Sequence, residues 1–387
     1  MRFAIETLNA VEALPATAWN ALVPADQPFL RHEFLHALEA SGAVSPASGW
    51  TPRHLAVRLD GVLVALLPRY LKDHSFGEYV FDWAWADAWE RAGGDYYPKG
   101  LTAVPFTPVP GARLLMGDGA ARREVMAALG EHCCDATLSS WHLLFAEDAE
   151  IDDWLAVRPE LLERAAVQFQ WRDAGFGDFA GFLAAMSAKR RKEVRRERRR
   201  VAEQGLELVR LEGEAIDAAA LEHFYRCYRI TYYERGQQPY LSLDFFRRLR
   251  ETMPEALLLV QAWHGARPVA AALCLQGSET LYGRYWGSEV EADCLHFEAC
   301  YYQGIEHCLA KGLTRFDPGT QGEHKLSRGF APRRLRSLHF IAHRGFRDAV
   351  ARFCAEEREH VAAYARHAET RLPFRRDHDA AGEALNK

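Results

Sequence analysis

Residues 256–316 read ALLLVQAWHGARPVAAALCLQGSETLYGRYWGSEVEADCLHFEACYYQGIEHCLAKGLTRF. Their apolar side chains follow a strand period, then a helix period at 297, 300, 301, 304, 305, 308 and 309, and then a strand period again. The turn His264-Gly265-Ala266-Arg267 joins the first two strands into a β-hairpin. This order predicts a mixed α/β domain. The predicted elements are strands at Ala256–Trp263, Val269–Leu275 and Leu281–Trp286, a helix at His296–Ala310 and a strand at Leu313–Phe316.

The first half of the chain shows the same order of patterns. Asp60-Gly61 lies between two apolar runs and predicts a second β-hairpin. Tyr79–Trp85 alternates aromatic residues and predicts a third strand. The remaining predicted elements are strands at His54–Arg58, Val62–Leu67, Lys99–Phe106 and His142–Phe145, and helices at Trp19–Leu22, Phe29–Ser41, Ala120–Cys133, Ala219–Tyr233, Leu243–Thr252 and Phe346–Arg366.

A short sequence match indicates an internal duplication. Lys99-Gly100-Leu101-Thr102 recurs as Lys311-Gly312-Leu313-Thr314, in equivalent places of the two element orders. The order of elements is that of the acetyltransferase-type α/β fold. We therefore predict tandem acetyltransferase-like domains at residues 1–165 and 166–387, each a mixed, mostly antiparallel sheet flanked by helices. The two KGLT segments are expected at equivalent strand starts.

Composition excludes several classes of protein. The 387 residues are 49% hydrophobic and 26% charged, with a net charge of −5, so extensive disorder and collagen-like structure are excluded. None of the eight cysteines forms a C-x-x-C pair with a matching second pair, and no metal site is predicted. No window of about 18 uncharged apolar residues occurs. We expect a soluble cytoplasmic protein without integral membrane contact; no pattern specifies an oligomeric state.

A strongly basic segment, residues 189–200, lies between the two halves. It holds nine basic and two acidic residues in twelve. Such density is typical of a helix that contacts a phosphate backbone, and tRNA is one candidate partner. The alternative is a solvated helix with Glu–Arg pairs at helical spacing. The candidate phosphate or RNA contacts are Arg190, Arg191, Arg195, Arg196 and Arg199.

Functional groups are densest between residues 282 and 330. Strand alternation places Arg284 on one face with two aromatic residues, and Glu323-His324-Lys325 follows a glycine-rich loop at a strand end. A carboxylate and an imidazole can remove a proton from an attacking ammonium, while Lys or Arg can hold an oxyanion or a phosphate. The predicted catalytic residues are Glu298, Glu323, His324 and Lys325.

Three runs in this region resemble a known family. They are YGRYWG at 282–287, LHFEACYYQGIE at 295–306 and GTQGEHKLSRGF at 319–330. They are similar to the FemAB-like proteins of peptidoglycan biosynthesis, a branch of the acetyltransferase superfamily. The resemblance extends to residues 81–87, 96–99, 167–171, 189–200 and 231–233. It implies the tandem architecture and a relation to Fem transferases, which use aminoacyl-tRNA to add amino acids to peptidoglycan precursors.

Two features of the wider families have no clear counterpart. The acetyl-CoA loop is not evident, and its nearest substitute is Met116–Ala121, a lone Gly-x-Gly pattern that is more typical of a plain turn. The helical arm with which some Fem enzymes contact tRNA is represented only by the basic segment. Both features contact the donor substrate in the wider families, so their absence leaves the choice between the two donors open.

The predicted substrate-binding residues are Arg284, His296, Asp82, Asp87, Tyr97, Tyr302 and Arg328.

The favoured function is an acyltransferase. It would move an acyl or aminoacyl group onto an amine, either a small molecule or a cell-wall precursor, with acyl-CoA or aminoacyl-tRNA as donor substrate and no permanently bound cofactor. Glu298 is expected to handle the ammonium, Lys325 and Arg284 the donor's negative charge, and His324 or Glu323 the proton. The alternative is a non-catalytic binding protein, a degenerate acetyltransferase fold that recognises a cell-wall precursor or a nucleic acid.

Overall fold

The chain divides into two compact units. The computed structural model describes residues 3–117, 121–320 and 322–375. One unit is the chain up to Val167 together with Arg334–Ala363, and the other is Gln168–Arg333 together with the chain from Tyr364 on. The predicted domains, 1–165 and 166–387, differ from this division at residues 334–363. That segment belongs to the first unit because its strand pairs with Ser140–Ala146.

The strands are numbered in chain order, and most are short. They are β1 Phe3–Leu8, β2 Trp50–Pro52, β3 His54–Leu59, β4 Val62–Leu67, β5 Tyr70–Lys72, β6 Lys99–Thr102, β7 Leu115–Met116, β8 Ser140–Ala146, β9 Leu162–Arg172, β10 Leu206–Glu212, β11 Leu257–His264, β12 Arg267–Gln276, β13 Thr280–Ser288, β14 Arg315–Asp317 and β15 Ala331–Ile341.

The helices are numbered in the same way. They are α1 Ala16–Asn20, α2 His32–Ala40, α3 Trp83–Arg91, α4 Arg122–Cys133, α5 Asp148–Val157, α6 Phe179–Ala185, α7 Ala188–Glu203, α8 Ala218–Tyr233, α9 Leu243–Thr252, α10 Leu295–Phe297, α11 Gln303–Lys311 and α12 Arg344–Glu369. A π-helical segment, Glu298–Tyr302, connects α10 to α11. Among the described residues, no helix has the length and apolar character that crossing a membrane requires.

The described strands of the first unit form two sheets. Strands β1, β3, β4 and β7 form one antiparallel sheet in that order. The other has the order β15-β8-β6-β5-β2 and is antiparallel except for the parallel pair β6–β8. Trp141 of β8 and Trp154 of α5 are buried and pack edge to face at 5.4 Å. Their apolar surface is the centre of this unit's core.

The second unit contains one sheet, in the order β10-β11-β12-β13-β14 followed by the end of β9. All pairs are antiparallel except β13–β14. Successive residues of β11 point to opposite faces: Val260 packs in the cluster that contains Ile305 of α11, whereas Gln261 contacts α8. Helices therefore cover both faces, which explains why β11 and β12 read as continuous apolar runs.

Two predictions from the sequence are wrong. Tyr79–Trp85 is not a strand, because α3 begins at Trp83; Trp85 and Trp89, one helical turn apart, both pack in an apolar cluster. The two KGLT segments are not equivalent either. Lys99–Thr102 is strand β6, whereas Lys311 ends α11 and Gly312 takes a left-handed conformation with φ 71°. This match therefore does not support an internal duplication.

Candidate functional site

The candidate site lies in the second unit, where the parallel strands β13 and β14 stop pairing. The last aligned residues are Tyr282 and Asp317. Strand β13 continues to Ser288, whereas the chain leaves β14 towards Gly319. Arg284 follows the last pair by two residues. Ends of parallel strands are where α/β proteins place ligand sites, because unpaired backbone groups and side chains become accessible there.

Lys325 is buried beside this point, with 1% of the residue exposed. Its Nζ donates a hydrogen bond to the carbonyl oxygen of Gly319 at 2.5 Å. Burial lowers the pKa of Lys325 to about 8; the carboxylate of Asp317 acts in the opposite direction, and the charge of Arg284 lowers the pKa further. Lys325 is therefore a buried amine that titrates close to neutral pH.

Asp317 and Arg284 complete the charged group around Lys325. Asp317 is 3% exposed, and its Oδ1 accepts the backbone N–H of Gly319 at 2.9 Å. Burial raises the pKa of Asp317, while that hydrogen bond and the charges of Arg284 and Lys325 lower it. Arg284 Nη1 lies 4.0 Å from the position that a Cβ of Gly319 would occupy. Two cations and one carboxylate leave a net positive charge, which suits an anionic group of a substrate.

Two imidazoles lie close enough to Lys325 for its charge to act on them. His324 Nε2 is 2.9 Å from the hydroxyl of Tyr301, and the rings of His324 and His296 are 6.1 Å apart. Burial lowers the pKa of His296 to about 4, and the charges of His324 and Lys325 add to this effect. Partial burial and the charge of Arg328 also lower the pKa of His324. Both rings are neutral at pH 7, so each has a lone pair that can accept a proton.

The loop before His324 needs glycine at residue 322. Gly322 has φ 107°, and a Cβ there would lie 2.0 Å from Cε1 of His324. Only glycine lets the imidazole occupy this position. Gln321, in the same glycine-rich run, lies outside the described residues.

Glu298, which was predicted to act with Arg284, His324 and Lys325, instead contacts residues of α7 and α11. It is 3% exposed, and both of its oxygens accept hydrogen bonds from Arg198 of α7 at 3.0 Å. Gln303 donates a further hydrogen bond to Oε1 at 2.8 Å. A buried carboxylate whose two oxygens accept from a half-buried guanidinium is not available to an incoming ammonium. The structure therefore does not group Glu298 with Arg284, His324 and Lys325.

Arg328 and Tyr302 meet on Glu197, the residue before Arg198 in α7. Arg328 donates to Glu197 at 2.6 Å and to the hydroxyl of Tyr302 at 3.1 Å, and that hydroxyl also donates to Glu197. The Arg328 guanidinium stacks 3.4 Å from the ring centre of Phe297. Arg328 and Tyr302, both predicted to bind substrate, thus connect α7 to the segments Glu323–Arg328 and Glu298–Tyr302. The sequence contained one signal of this role, two glutamates within an otherwise basic run.

Glu323 lies away from the buried group. It is exposed, and its carboxylate accepts hydrogen bonds from Tyr364 and Arg371, each at 3.0 Å. These partners lower the pKa of Glu323, with the Arg371 hydrogen bond as the largest cause. Of the two predicted proton acceptors, His324 is the one that lies beside Lys325.

The other predicted substrate-binding residues belong to the first unit. Asp82 is buried, and its Oδ2 accepts hydrogen bonds from Lys99 at 2.6 Å and Tyr96 at 2.7 Å. The Tyr97 hydroxyl is 2.9 Å from that of Ser75. Asp87 lies on an exposed face of α3. Lys99 holds Asp82 in an ionised state by keeping the pKa of this carboxyl well below its usual range, although burial opposes that.

Sequence reasoning missed the size of this buried polar cluster. Lys99 Nζ also donates to Glu78 at 2.8 Å and Ser75 at 2.7 Å. Burial raises the pKa of Glu78 to about 7. His142 and His339, opposite each other on β8 and β15, approach to 2.6 Å between their Nδ1 atoms. No local sequence pattern predicts such a cluster, because its members come from segments that are far apart in the chain.

The basic segment is helix α7, and its charges divide between two faces. Val194 and Val201 are buried on the face that carries Glu197 and Arg198. Arg190 pairs with Glu193 at 2.7 Å and Arg199 with Glu203 at 3.5 Å. Arg191 is half-buried. Exposed cations remain along the outer face, and they are Lys189, Lys192, Arg195, Arg196, Arg199 and Arg200.

A cavity of 740 Å³ lies beside His296, within the second unit. Trp286 and His296 line one part of it, and Glu289, Glu291 and Asp293 line another.

In the first unit, the Gly-x-Gly pattern at Met116–Ala121 includes residues 118–120, which lie outside the described residues.

Comparison with known proteins identifies the family. The sequence model of the FemAB-like family, whose description is peptidoglycan biosynthesis/recognition, matches residues 10–376. The chain belongs to the FemAB-like family. The predicted membership is therefore confirmed over almost the whole sequence. Among curated proteins, none matches the chain significantly.

Solved structures confirm the fold of this FemAB-like protein. FemX aligns over 87% of this chain and 97% of its own, with a TM-score of 0.52 and 10% identity. A protein described as the C-terminal domain of a lysylphosphatidylglycerol synthetase from Agrobacterium fabrum aligns over 89% and 95%, with a TM-score of 0.51 and 9% identity. A protein of unknown function from Bacteroides thetaiotaomicron aligns over 87% and 99%, with a TM-score of 0.50 and 11% identity. The predicted fold class is confirmed.

Proposed function

We propose that this protein transfers an acyl or aminoacyl group to an amine acceptor, and that the acceptor is a cell-wall precursor. The observation that carries the proposal is the grouping of Lys325, Arg284 and Asp317 beside two neutral imidazoles, where strands β13 and β14 part. The family's description, peptidoglycan biosynthesis or recognition, supports the acceptor class.

Each group has a role in this reaction. The neutral amine nitrogen attacks the carbonyl carbon of an ester or thioester, an amide bond forms, and the C–O or C–S bond to the donor breaks. His324 accepts the proton that the amine loses, because its lowered pKa keeps the ring neutral at pH 7 and part of the residue is open to solvent. Lys325 and Arg284 hold the negative charge of the donor or of the oxyanion. The leaving oxygen or sulfur then takes up a proton.

The donor is aminoacyl-tRNA or acyl-CoA. Both present phosphates and an activated carbonyl group, so both fit a net positive site. The outer face of α7, with exposed Lys192, Arg195 and Arg196, favours the nucleic acid, because a row of cations can follow a phosphate backbone.

A transfer assay with both donor classes tests the proposal. The protein is incubated with a mixture of aminoacyl-tRNAs carrying radiolabelled amino acids, or with acyl-CoA, and with soluble peptidoglycan precursors that bear a free amine. We expect label in the precursor, or release of CoA thiol that depends on the precursor. Binding of the precursor without turnover of either donor would favour the alternative, a non-catalytic binding protein.

The pH profile of the reaction depends on Lys325. The protonated amine is the form that holds a negative charge, and its fraction falls as pH rises through the pKa of about 8. We therefore expect kcat/KM to decrease above pH 8 in the wild type. The variant Lys325→Arg keeps its charge, and its profile should lack this decrease. A rise of kcat/KM above pH 8 that Lys325→Arg loses would mean that neutral Lys325 is the base instead, whereas a rise shared by both proteins reports deprotonation of the acceptor amine.

Charge reversal on α7 is expected to abolish polyanion binding. The variant Lys189→Glu, Lys192→Glu, Arg195→Glu, Arg196→Glu changes only exposed side chains and leaves Arg198 on Glu298. Binding of total tRNA should weaken by about 10²-fold or more at low salt, because about four phosphate contacts are lost. Filter binding over a range of salt concentrations measures this effect.

The matched control reverses four exposed arginines elsewhere, namely Arg123, Arg344, Arg352 and Arg366. It makes the same change in net charge and should retain tRNA binding within about threefold, since screening weakens distant charges. Equal losses in both variants would show that net charge, rather than the face of α7, controls binding. If the wild-type protein shows no salt-dependent binding of tRNA, α7 is a solvated helix and does not bind nucleic acid.

A further inference from the structure

Three side chains, two on α8 and one directly after β13, are of types that bind metal ions in proteins. His223 and Cys227 lie one turn apart on α8, and Glu289 follows β13 directly. Their ligand atoms all lie within 4.8 Å of one another. His223 Nε2 is 3.4 Å from Cys227 Sγ and 4.0 Å from Glu289 Oε1.

These distances match a tetrahedral ion. Bonds of about 2.3 Å to sulfur and about 2.0 Å to nitrogen place the two atoms about 3.5 Å apart at a tetrahedral angle. The observed separation of Sγ and Nε2 is 3.4 Å. The carboxylate oxygen needs to move about half an ångström closer to the imidazole, which a side-chain rotation provides. The third separation, between Sγ and the carboxylate, lies within 4.8 Å, against about 3.5 Å at a tetrahedral ion, so rotation of the Glu289 side chain must bring the carboxylate closer to both other ligands.

The surroundings suit a ligand set of this kind. Arg267 donates to Glu289 Oε2 at 2.6 Å and leaves Oε1 facing His223, so it can orient the carboxylate while the other oxygen binds. Arg226 holds Oε1 through a longer contact of 3.4 Å, and its side chain is 58% exposed, so it can turn to solvent at little cost. Gln261 Nε2 lies 3.3 Å from His223 Nδ1; when the side-chain amide is turned over, its oxygen accepts the Nδ1–H of a ring that binds the ion through Nε2.

We propose that His223, Cys227 and Glu289 form a Zn²⁺ site in which a water molecule is the fourth ligand. Thiolate, imidazole and carboxylate together favour Zn²⁺ over Mg²⁺ or Ca²⁺, which prefer oxygen ligands. His223 and Cys227 are buried, whereas Glu289 also lines the 740 Å³ cavity, so the ion and the water enter from that side. The site is independent of the proposed acyl transfer.

Binding must release one proton. A thiol binds a metal ion only after it has lost its proton. The S–H bond breaks as the bond between sulfur and metal forms, and the proton leaves to solvent. Metal affinity therefore increases with pH.

Cobalt provides the test, since Co²⁺ takes the place of Zn²⁺ and is visible. Full-length protein is treated with EDTA, dialysed and titrated with Co²⁺ at pH 7.5. We expect a thiolate-to-cobalt charge-transfer band and the d–d bands of tetrahedral cobalt, which saturate at one equivalent and disappear when Zn²⁺ is added. A dye in weakly buffered solution should report about one proton released per ion bound.

Variants decide which residues bind the ion. Cys227→Ser should lose the charge-transfer band, whereas the matched change Cys134→Ser, on a cysteine of the first unit, should retain it. Glu289→Gln preserves an acceptor for Arg267 and should weaken Co²⁺ binding about tenfold or more while circular dichroism stays unchanged. Wild-type protein without the band, a band that persists in Cys227→Ser, or unchanged affinity in Glu289→Gln would each overturn the proposal.

Discussion

Lys325→Met is expected to lower kcat/KM of the transfer reaction by about 10²- to 10³-fold. The change keeps the length and much of the volume of the side chain but removes the cation whose charge acts on Asp317 and Arg284. Loss of a charge that stabilises the donor or the oxyanion acts on the transition state, so kcat as well as KM should change. Steady-state kinetics with the donor identified in the transfer assay measure the effect.

The control for Lys325→Met is Lys311→Met, at the exposed end of α11, where the lysine only pairs with Glu212 on the surface. It should retain activity within about twofold. Because Lys325 is buried, urea unfolding of both variants must accompany the kinetics, and rates are compared below both thermal transitions. Full activity in folded Lys325→Met would contradict the assignment of this site.

Arg198→Met is expected to lower the free energy of unfolding by about 3 kcal/mol. The change removes both hydrogen bonds to Glu298 and the one to Glu306, and it leaves the Glu298 carboxylate buried without its cation. Breaking a buried pair by removing one partner costs more than the pair contributes, since the remaining charge has lost its solvation. Urea unfolding followed by circular dichroism measures this change.

Two controls separate this effect from loss of positive charge on α7. Arg195→Met changes an exposed neighbour and should alter stability by less than about 0.5 kcal/mol. The double variant Arg198→Met, Glu298→Leu removes both charges and should recover most of the lost stability. If Glu298→Leu alone leaves the protein as stable as the wild type, the pair has no structural role, and Glu298 returns as a candidate for substrate binding.

The sequence predicted secondary structure best where the period of apolar residues was unbroken. Helices α8 and α9 and the hairpin β11–β12 were predicted within about two residues. Tyr79–Trp85 was predicted as a strand because its aromatics alternate. The helix that begins at Trp83 buries Trp85 and packs Trp89 one turn later, and this choice depends on the surface against which the tryptophans pack.

The sequence could indicate spatial proximity only for residues of consecutive elements. Arg284, His296, His324 and Lys325 belong to consecutive elements of one sheet, so their positions followed from the order of those elements. The partners of Glu298 and Glu323 could not be predicted in this way. Arg198 lies 100 residues from Glu298, and Arg371 lies 48 residues from Glu323.

The sequence by itself determined most of the elements, the family and the segment in which ionisable side chains are densest, because each of these depends on local patterns or on runs of adjacent residues. Tertiary structure alone decided which charges face one another. It placed Glu298 on Arg198, left Lys325 with Asp317, and brought Glu289 to His223 and Cys227. The physical reason is that ion pairs and ligand sets depend on which faces pack together, and neither charge nor spacing along the chain specifies that packing.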